Sequence, residues 1–184
     1  MEDLEELTAL CHERNMLLIL DLPVNHTGSD HRWFKMFAAS RRMDNILNEY
    51  YDYYVCATEE EKRAGHAYAL IPGTNLYYEC NFSSGMPELN FDNEAVRREV
   101  LKIAEYYLNL GVDGFRFDAA KYVYLGDHDA STAFWEWYTD EIRKINPDAY
   151  MVAEVWDSDG ITNRYTPYVS CFDFTVSQTE GLIS

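Results

Sequence analysis

The sequence predicts an α/β fold built on parallel strands, and three observations carry that prediction. Short apolar segments at residues 16–20, 114–117 and 150–153 each run into a carboxylate, at Asp21, Asp118 and Glu154. Continuous apolar segments of this length suit strands buried on both faces of a parallel sheet, and amphipathic helical patterns lie between them. Polar residues gather where these strands end, the face on which a (β/α)8 barrel assembles its active site. The predicted fold class is therefore α/β, a partial (β/α)8 TIM barrel.

Taken in order, Leu4, Leu7, Leu10 and Cys11 space as one helical face ahead of the first strand, Met16 to Asp21. Residues 28–92 then break the strand and helix rhythm with a polar stretch rich in Tyr and Asn. A connection so long is a small subdomain or a functional loop. Asp92 or Asn93 is placed to cap the next helix, which turns Val96, Val100, Ala104, Tyr107 and Leu108 inward, and Gly111 suits its C-terminus. The strand at 114–117 follows at once. Ser131 is the predicted cap of another helix, with Phe134, Tyr138, Ile142 and Ile145 inward and Pro147 beyond its end. The strand at 150–153 comes next, and residues 171–176 read as a further one.

The 184 residues, 47% hydrophobic and 15% aromatic, are enough to bury the core of about one domain. With 15 basic against 32 acidic residues the net charge is −17, which argues against nucleic acid or an anionic membrane as a partner. No run approaches the roughly twenty apolar residues that span a bilayer. The N-terminus has neither the basic start nor the small-residue cleavage site of a signal peptide. Cys11, Cys56, Cys80 and Cys171 have no metal-binding spacing, so free thiols are expected; Cys56 and Cys80 are the one pair to inspect for a bridge.

The chemistry is concentrated in Gly114-Phe115-Arg116-Phe117-Asp118-Ala119-Ala120-Lys121-Tyr122. Alternation along a strand puts Arg116 and Asp118 on one face and the two phenylalanines on the other. A neighbouring guanidinium keeps a carboxylate ionised, which a nucleophile requires, although a structural ion pair gives the same pattern. If Asp118 and Glu154 end adjacent strands, about 4.8 Å apart, their carboxyl groups approach to about 5 Å. That spacing fits a retaining glycosidase, in which one carboxylate attacks and the other donates a proton.

These motifs resemble the α-amylase superfamily, glycoside hydrolase family thirteen. Asp21-Leu22-Pro23-Val24-Asn25-His26 resembles its first sequence region, Gly114 to Tyr122 its second and Glu154-Val155-Trp156 its third, while Met86-Pro87-Glu88-Leu89-Asn90 resembles the extra region near the end of its inserted domain. The resemblance implies that the chain runs from the helix before the third barrel strand to about the sixth strand, with the barrel at 1–27 and 93–184 and an inserted domain B at 28–92. It implies Asp118 as nucleophile and Glu154 as acid and base, with the ionised Asp118 helping Glu154 to keep its proton. Arg116 would position Asp118 and Asp21 would brace Arg116. His26 would bond the sugar in the cleaved subsite, and Lys121, Tyr122 and Trp156 would line neighbouring subsites. No cofactor is required for such chemistry, and a structural calcium ion at Asn25 is compatible with it.

The chain also departs from the family. Members carry a fourth region, a His-Asp pair after the seventh strand, and here the only such dipeptide, His128-Asp129, falls between the second and third regions. It reads as loop and helix-capping chemistry. The third carboxylate and the remaining barrel segments are then partners to be supplied by a larger parent protein, and the chain alone is expected to be inactive. Tyr122 stands where typical α-amylases have a histidine whose carbonyl binds calcium, which weakens the case for the ion. Ala119 and Met86 point to α-1,4 linkages rather than α-1,6. The substrate expected is an α-1,4-glucan or maltooligosaccharide; the alternatives are an exo-α-glucosidase, a transglycosylase, or a non-catalytic homologue serving as an interaction module.

Overall fold

A computed structural model of the chain describes residues 2–177. In chain order the elements are α1 (Glu2–His12), β1 (Ile19–Asp21), α2 (Arg32–Arg42), β2 (Cys56–Ala57), β3 (Tyr68–Leu70), β4 (Tyr77–Glu79), α3 (Glu94–Asn109) and β5 (Gly114–Phe117). A 3-10 helix at Ala120–Tyr124 follows, then α4 (His128–Ile145), β6 (Tyr150–Ala153), α5 (Asp159–Tyr165), β7 (Ser170–Cys171) and α6 (Phe174–Ser177). The chain divides into two compact units, residues 1–23 with 99–184, and residues 24–98.

The first unit holds a four-stranded sheet in the order β1-β5-β6-β7, every pair parallel, as in an arc of a (β/α)8 barrel. Its core lies between the helix-facing side of β5 and helix α4: Phe115, Phe117, Phe134, Trp135, Tyr138 and Ile142 are all buried. Tyr138 brings a hydroxyl into that core and satisfies it by donating to the Val100 carbonyl at 3.0 Å. Helix α3 starts at Asn93, whose Oδ1 accepts the Ala95 N–H at 2.9 Å, and it buries Val96, Val100, Ala104 and Leu108. It ends before Gly111, where φ is 91°, the left-handed geometry a glycine accepts without strain.

Three expectations need correcting. The segment 16–21 is strand only at Ile19–Asp21, and it is not buried on both faces: Met16, Leu17 and Ile19 are exposed, because β1 pairs with β5 alone among the described residues. Helix α4 is capped by Asp127, whose Oδ1 accepts the Ala130 N–H at 2.9 Å. Ser131 lies inside the helix, buried, donating to the Tyr124 carbonyl, and His128-Asp129 forms the first turn rather than a loop. Finally, residues 171–176 do not continue as a strand. After β7 the side chain of Asp173 accepts the Thr175 N–H and hydroxyl, at 3.0 and 2.6 Å, and starts the short helix α6.

The second unit is built on a three-stranded antiparallel sheet, β2-β4-β3, and helix α2. Its core is aromatic: Phe34 packs edge-on to Tyr54 and Tyr78, at 5.2 and 4.8 Å between ring centroids, with Phe37 buried beside them. Cys56 and Cys80 are free thiols, as are Cys11 and Cys171. Two carboxylates are buried here. Glu79 accepts from Arg63 Nη2, His66 Nδ1 and Asn81 Nδ2, each at 2.7 Å. Burial pushes its carboxyl up, but the bonds from His66, Arg63 and Asn81 outweigh burial and hold it below the usual range.

Glu88 has fewer partners. Burial pushes its carboxyl up to about 7; the bond from the Asn81 N–H, 3.0 Å from Oε1, opposes this and the Glu79 charge adds to it. Between the ordinary value of 4.5 and about 7, the folded chain therefore binds more protons at this group than the unfolded chain does. Glu88 favours folding fully below that window and loses the contribution as pH rises through it, by up to about 3 kcal/mol. Glu88→Gln is expected to flatten this slope, read from urea unfolding at about pH 5 and about pH 8. An unchanged difference in the variant would contradict the assignment.

Candidate active site

Backbone register builds the site. Asp21 on β1 is opposite Arg116 on β5, and Phe117 is opposite Ala153 on β6, so Asp118 and Glu154 are the next residues of adjacent parallel strands. The ladder continues past the strand ends: the Leu22 N–H donates to the Arg116 carbonyl at 2.8 Å, the Glu154 N–H to the Phe117 carbonyl at 2.8 Å and the Ala120 N–H to the Glu154 carbonyl at 3.0 Å. Ala119 then turns the chain with φ 49° and ψ 38°, left-handed for a residue with a Cβ. This conformation costs about 1–2 kcal/mol and is the kind of strain found beside functional groups.

One guanidinium links three carboxylates. Arg116 Nη1 donates to Asp21 Oδ1 at 2.7 Å and to Asp118 Oδ1 at 2.8 Å, and Nη2 contacts Glu154 Oε2. Burial pulls the guanidinium down, but the hydrogen bonds and charges of Asp21 and Asp118 prevail and raise it above the usual arginine range. The side chains of Arg116, Asp118 and Glu154 are half-buried, at 26%, 33% and 20% exposure, which leaves the carboxyl groups open to a ligand; Asp21, at 61%, is the outermost. The geometry thus brings together Asp21, Arg116, Asp118 and Glu154. The contact from Arg116 to Glu154 is an addition to the sequence reading, legible only once the register of β5 on β6 is known.

Lys121 is also in this unit, on the 3-10 helix. Its Nζ donates to the Trp156 carbonyl at 2.7 Å and to Asp157 Oδ2 at 2.8 Å, a partner the sequence did not single out. Trp156 is 61% exposed and stacks on Phe174, with centroids 5.4 Å apart and planes 19° from parallel. Tyr122 lies beside Lys121, its ring centroid 5.8 Å from Nζ.

His26 and Asn25 belong to the second unit. The His26 ring packs against Phe82 at 5.6 Å, and its Nδ1 is 3.0 Å from Asn25 Oδ1. Asn25 is buried, and its Nδ2 has no hydrogen-bond partner. A calcium ion needs several converging oxygens. The described residues contain no group of three or more His, Cys, Asp or Glu able to hold a metal, and the atom Asn25 leaves unpaired is a donor.

Comparison with known proteins decides the family. The sequence model described as "Alpha amylase, catalytic domain" matches residues 1–176. The chain belongs to the α-amylase family. It is 43% identical to "Alpha-amylase 3" of Dictyoglomus thermophilum over 178 residues, covering 96% of the chain and 34% of that protein. It is 39% identical to "Oligo-1,6-glucosidase" of Bacillus cereus over 132 residues, covering 67% of the chain and 23% of that protein. Among solved structures, "Eubacterium rectale Amy13B" superposes with a TM-score of 0.88 at 34% identity, covering 98% of the chain and 36% of the other. The chain therefore spans about a third or less of the length of these α-amylase relatives.

Proposed function

We propose that the protein carrying this chain is a retaining α-glycoside hydrolase that acts on α-1,4-glucans or maltooligosaccharides. The observation that carries the reading is the single guanidinium of Arg116 shared by Asp21, Asp118 and Glu154 at the ends of three adjacent strands. Two carboxylates held on the two nitrogens of one fork favour the shorter separation, about 5–5.5 Å, that retaining enzymes use, over the about 6.5–9.5 Å that leaves room for a water in inverting ones.

In this reading Asp118 attacks the anomeric carbon while the proton on Glu154 passes to the departing glycosidic oxygen. The C–O bond to the leaving sugar breaks as the bond to Asp118 forms. Glu154, now a carboxylate, takes a proton from water, whose oxygen displaces Asp118 with a second inversion. Arg116 holds and aims Asp118, and Asp21 holds the far side of the guanidinium. Residues 28–92 correspond to the family's domain B, and His26 is the residue of the first sequence region assigned to the sugar. A third carboxylate comes from a segment outside this chain, so the 184 residues alone release no sugar. Ala119 and Met86 favour α-1,4 linkages; the second reading is an exo-α-glucosidase or a transglycosylase of the same family, and the likeness to an "Oligo-1,6-glucosidase" supports a glucosidase.

The test is reducing-sugar release from maltooligosaccharides by the full-length parent, with the anomer of the first product read by NMR. Release of the α-anomer is expected. A β-anomer would overturn the retaining mechanism, and no release from any α-glucoside would favour the non-catalytic homologue.

A further inference from the structure

Lys121 and Asp157 touch no reacting atom in the reading above, yet they are paired with each other. The Lys121 ammonium has three donors, and two are spent inside the chain, on the Trp156 carbonyl at 2.7 Å and Asp157 Oδ2 at 2.8 Å. Asp157 spends its other oxygen as well: Oδ1 accepts the Ser158 N–H at 2.8 Å, just before helix α5. The bonds from Lys121 and then Ser158 hold the Asp157 carboxyl below the usual range. Lys121 is 19% exposed at its side chain and Asp157 31%, so the pair is half-screened from water.

The same two stretches of chain are joined by backbone. The Glu154 N–H is bonded to Phe117 and the Glu154 carbonyl to Ala120, on either side of Asp118. Beyond Glu154 the Lys121 side chain makes the contacts, to the Trp156 carbonyl and Asp157. On the other side, Thr162 of helix α5 donates to the Val155 carbonyl at 3.2 Å. Residues 154–158 are thereby gripped between the segment that follows Asp118 and the first turn of α5.

We propose that the Lys121–Asp157 ion pair is a positioning clamp, which fixes the Glu154–Ser158 segment against the segment after Asp118 and sets the placement of Glu154 and the Trp156 indole. In this role Lys121 acts through Glu154 and Trp156. The proposal rests on the assignment of Asp118 and Glu154 as the catalytic pair. It also gives the exposed Trp156 ring, stacked on Phe174, a fixed carbonyl behind it, so the ring is presented in one orientation.

The test is a double-mutant cycle in the full-length parent with Lys121→Met, Asp157→Asn and the pair, plus Lys121→Arg. Each single substitution is expected to lower kcat by about 10–100-fold, with KM for short and long maltooligosaccharides changed by less than about twofold. The double variant should be no worse than the poorer single one, and Lys121→Arg should recover most of the loss. A raised KM confined to long substrates with kcat kept, and a silent Asp157→Asn, would instead make Lys121 a direct sugar contact. Melting temperature supplies a readout without substrate: the singles should each lose about 2–4 °C and the double no more than one single. Additive losses would overturn the clamp. If the wild-type parent releases no sugar from any α-glucoside, the catalytic assignment fails while the melting cycle still decides the clamp.

Discussion

Asp118→Asn in the full-length parent is expected to reduce hydrolysis of maltooligosaccharides by at least about 10³-fold, with the fold intact. Asparagine keeps the shape and accepts the Arg116 Nη1 bond now made by Asp118 Oδ1 at 2.8 Å, so the guanidinium remains held by Asp21 and Glu154. What it removes is the charge that attacks the anomeric carbon. Glu154→Gln is expected to behave differently, because the acid is needed only where the leaving group is a poor one. A substrate with an acidic phenol as leaving group should still be cleaved to the glycosyl-enzyme by Glu154→Gln, giving a burst followed by a slow phase, and should remain inert to Asp118→Asn. Equal loss in both variants on that substrate would mean that the two carboxylates do not divide the labour as assigned.

Gly114→Ala is the substitution with the largest expected effect on the fold. A Cβ built on Gly114 would lie 1.8 Å from the Tyr150 carbonyl oxygen and 2.7 and 2.8 Å from the Tyr150 carbonyl carbon and nitrogen. These are backbone atoms of the neighbouring strand, so no rotamer change relieves the clash and β5 must move away from β6. The register that places Asp118 beside Glu154 begins at this pair, Gly114 opposite Tyr150. We expect a loss of about 3 kcal/mol or more, beyond an ordinary overpacking cost, visible as a lower urea midpoint and a parallel loss of activity. A variant that melts and turns over like the parent would show that the two strands are not packed this closely.

The sequence made some parts of this structure readable and hid others for physical reasons. Helices α3 and α4 carry their period in Val96, Val100, Ala104 and Leu108, and in Phe134, Tyr138 and Ile142, and the structure buries all of these. Burial of β1 was not readable, because it depends on which strands lie beside it. The cap of α4 was misplaced by four residues: Gly126, with φ 81°, turns the chain just before Asp127, and this glycine was the available signal. Residues 171–176 carry a period of two in Phe172, Phe174 and Val176, yet the side-chain bonds of Asp173 to Thr175 start a helical turn instead.

The candidate site was more legible than the loops around it, because carboxylates at the ends of apolar strands are brought together by any parallel sheet. Asp21, Arg116 and Asp118 meet as strand alternation requires. The pairing of Lys121 with Asp157 joins residues 36 apart through a loop and a 3-10 turn, and no local period encodes it.

The most direct measurement of the central claim is covalent trapping. The parent protein would be treated with a fluorinated α-glucosyl fluoride, which slows the second step more than the first, then digested and its peptides weighed by mass spectrometry. The glycosyl mass is predicted on the peptide containing Asp118, with fragmentation locating it to that residue and the label absent from Asp118→Asn. A label on another residue, or turnover of natural substrate with inversion and no label at all, would contradict the assignment of Asp118 as the nucleophile of a retaining enzyme.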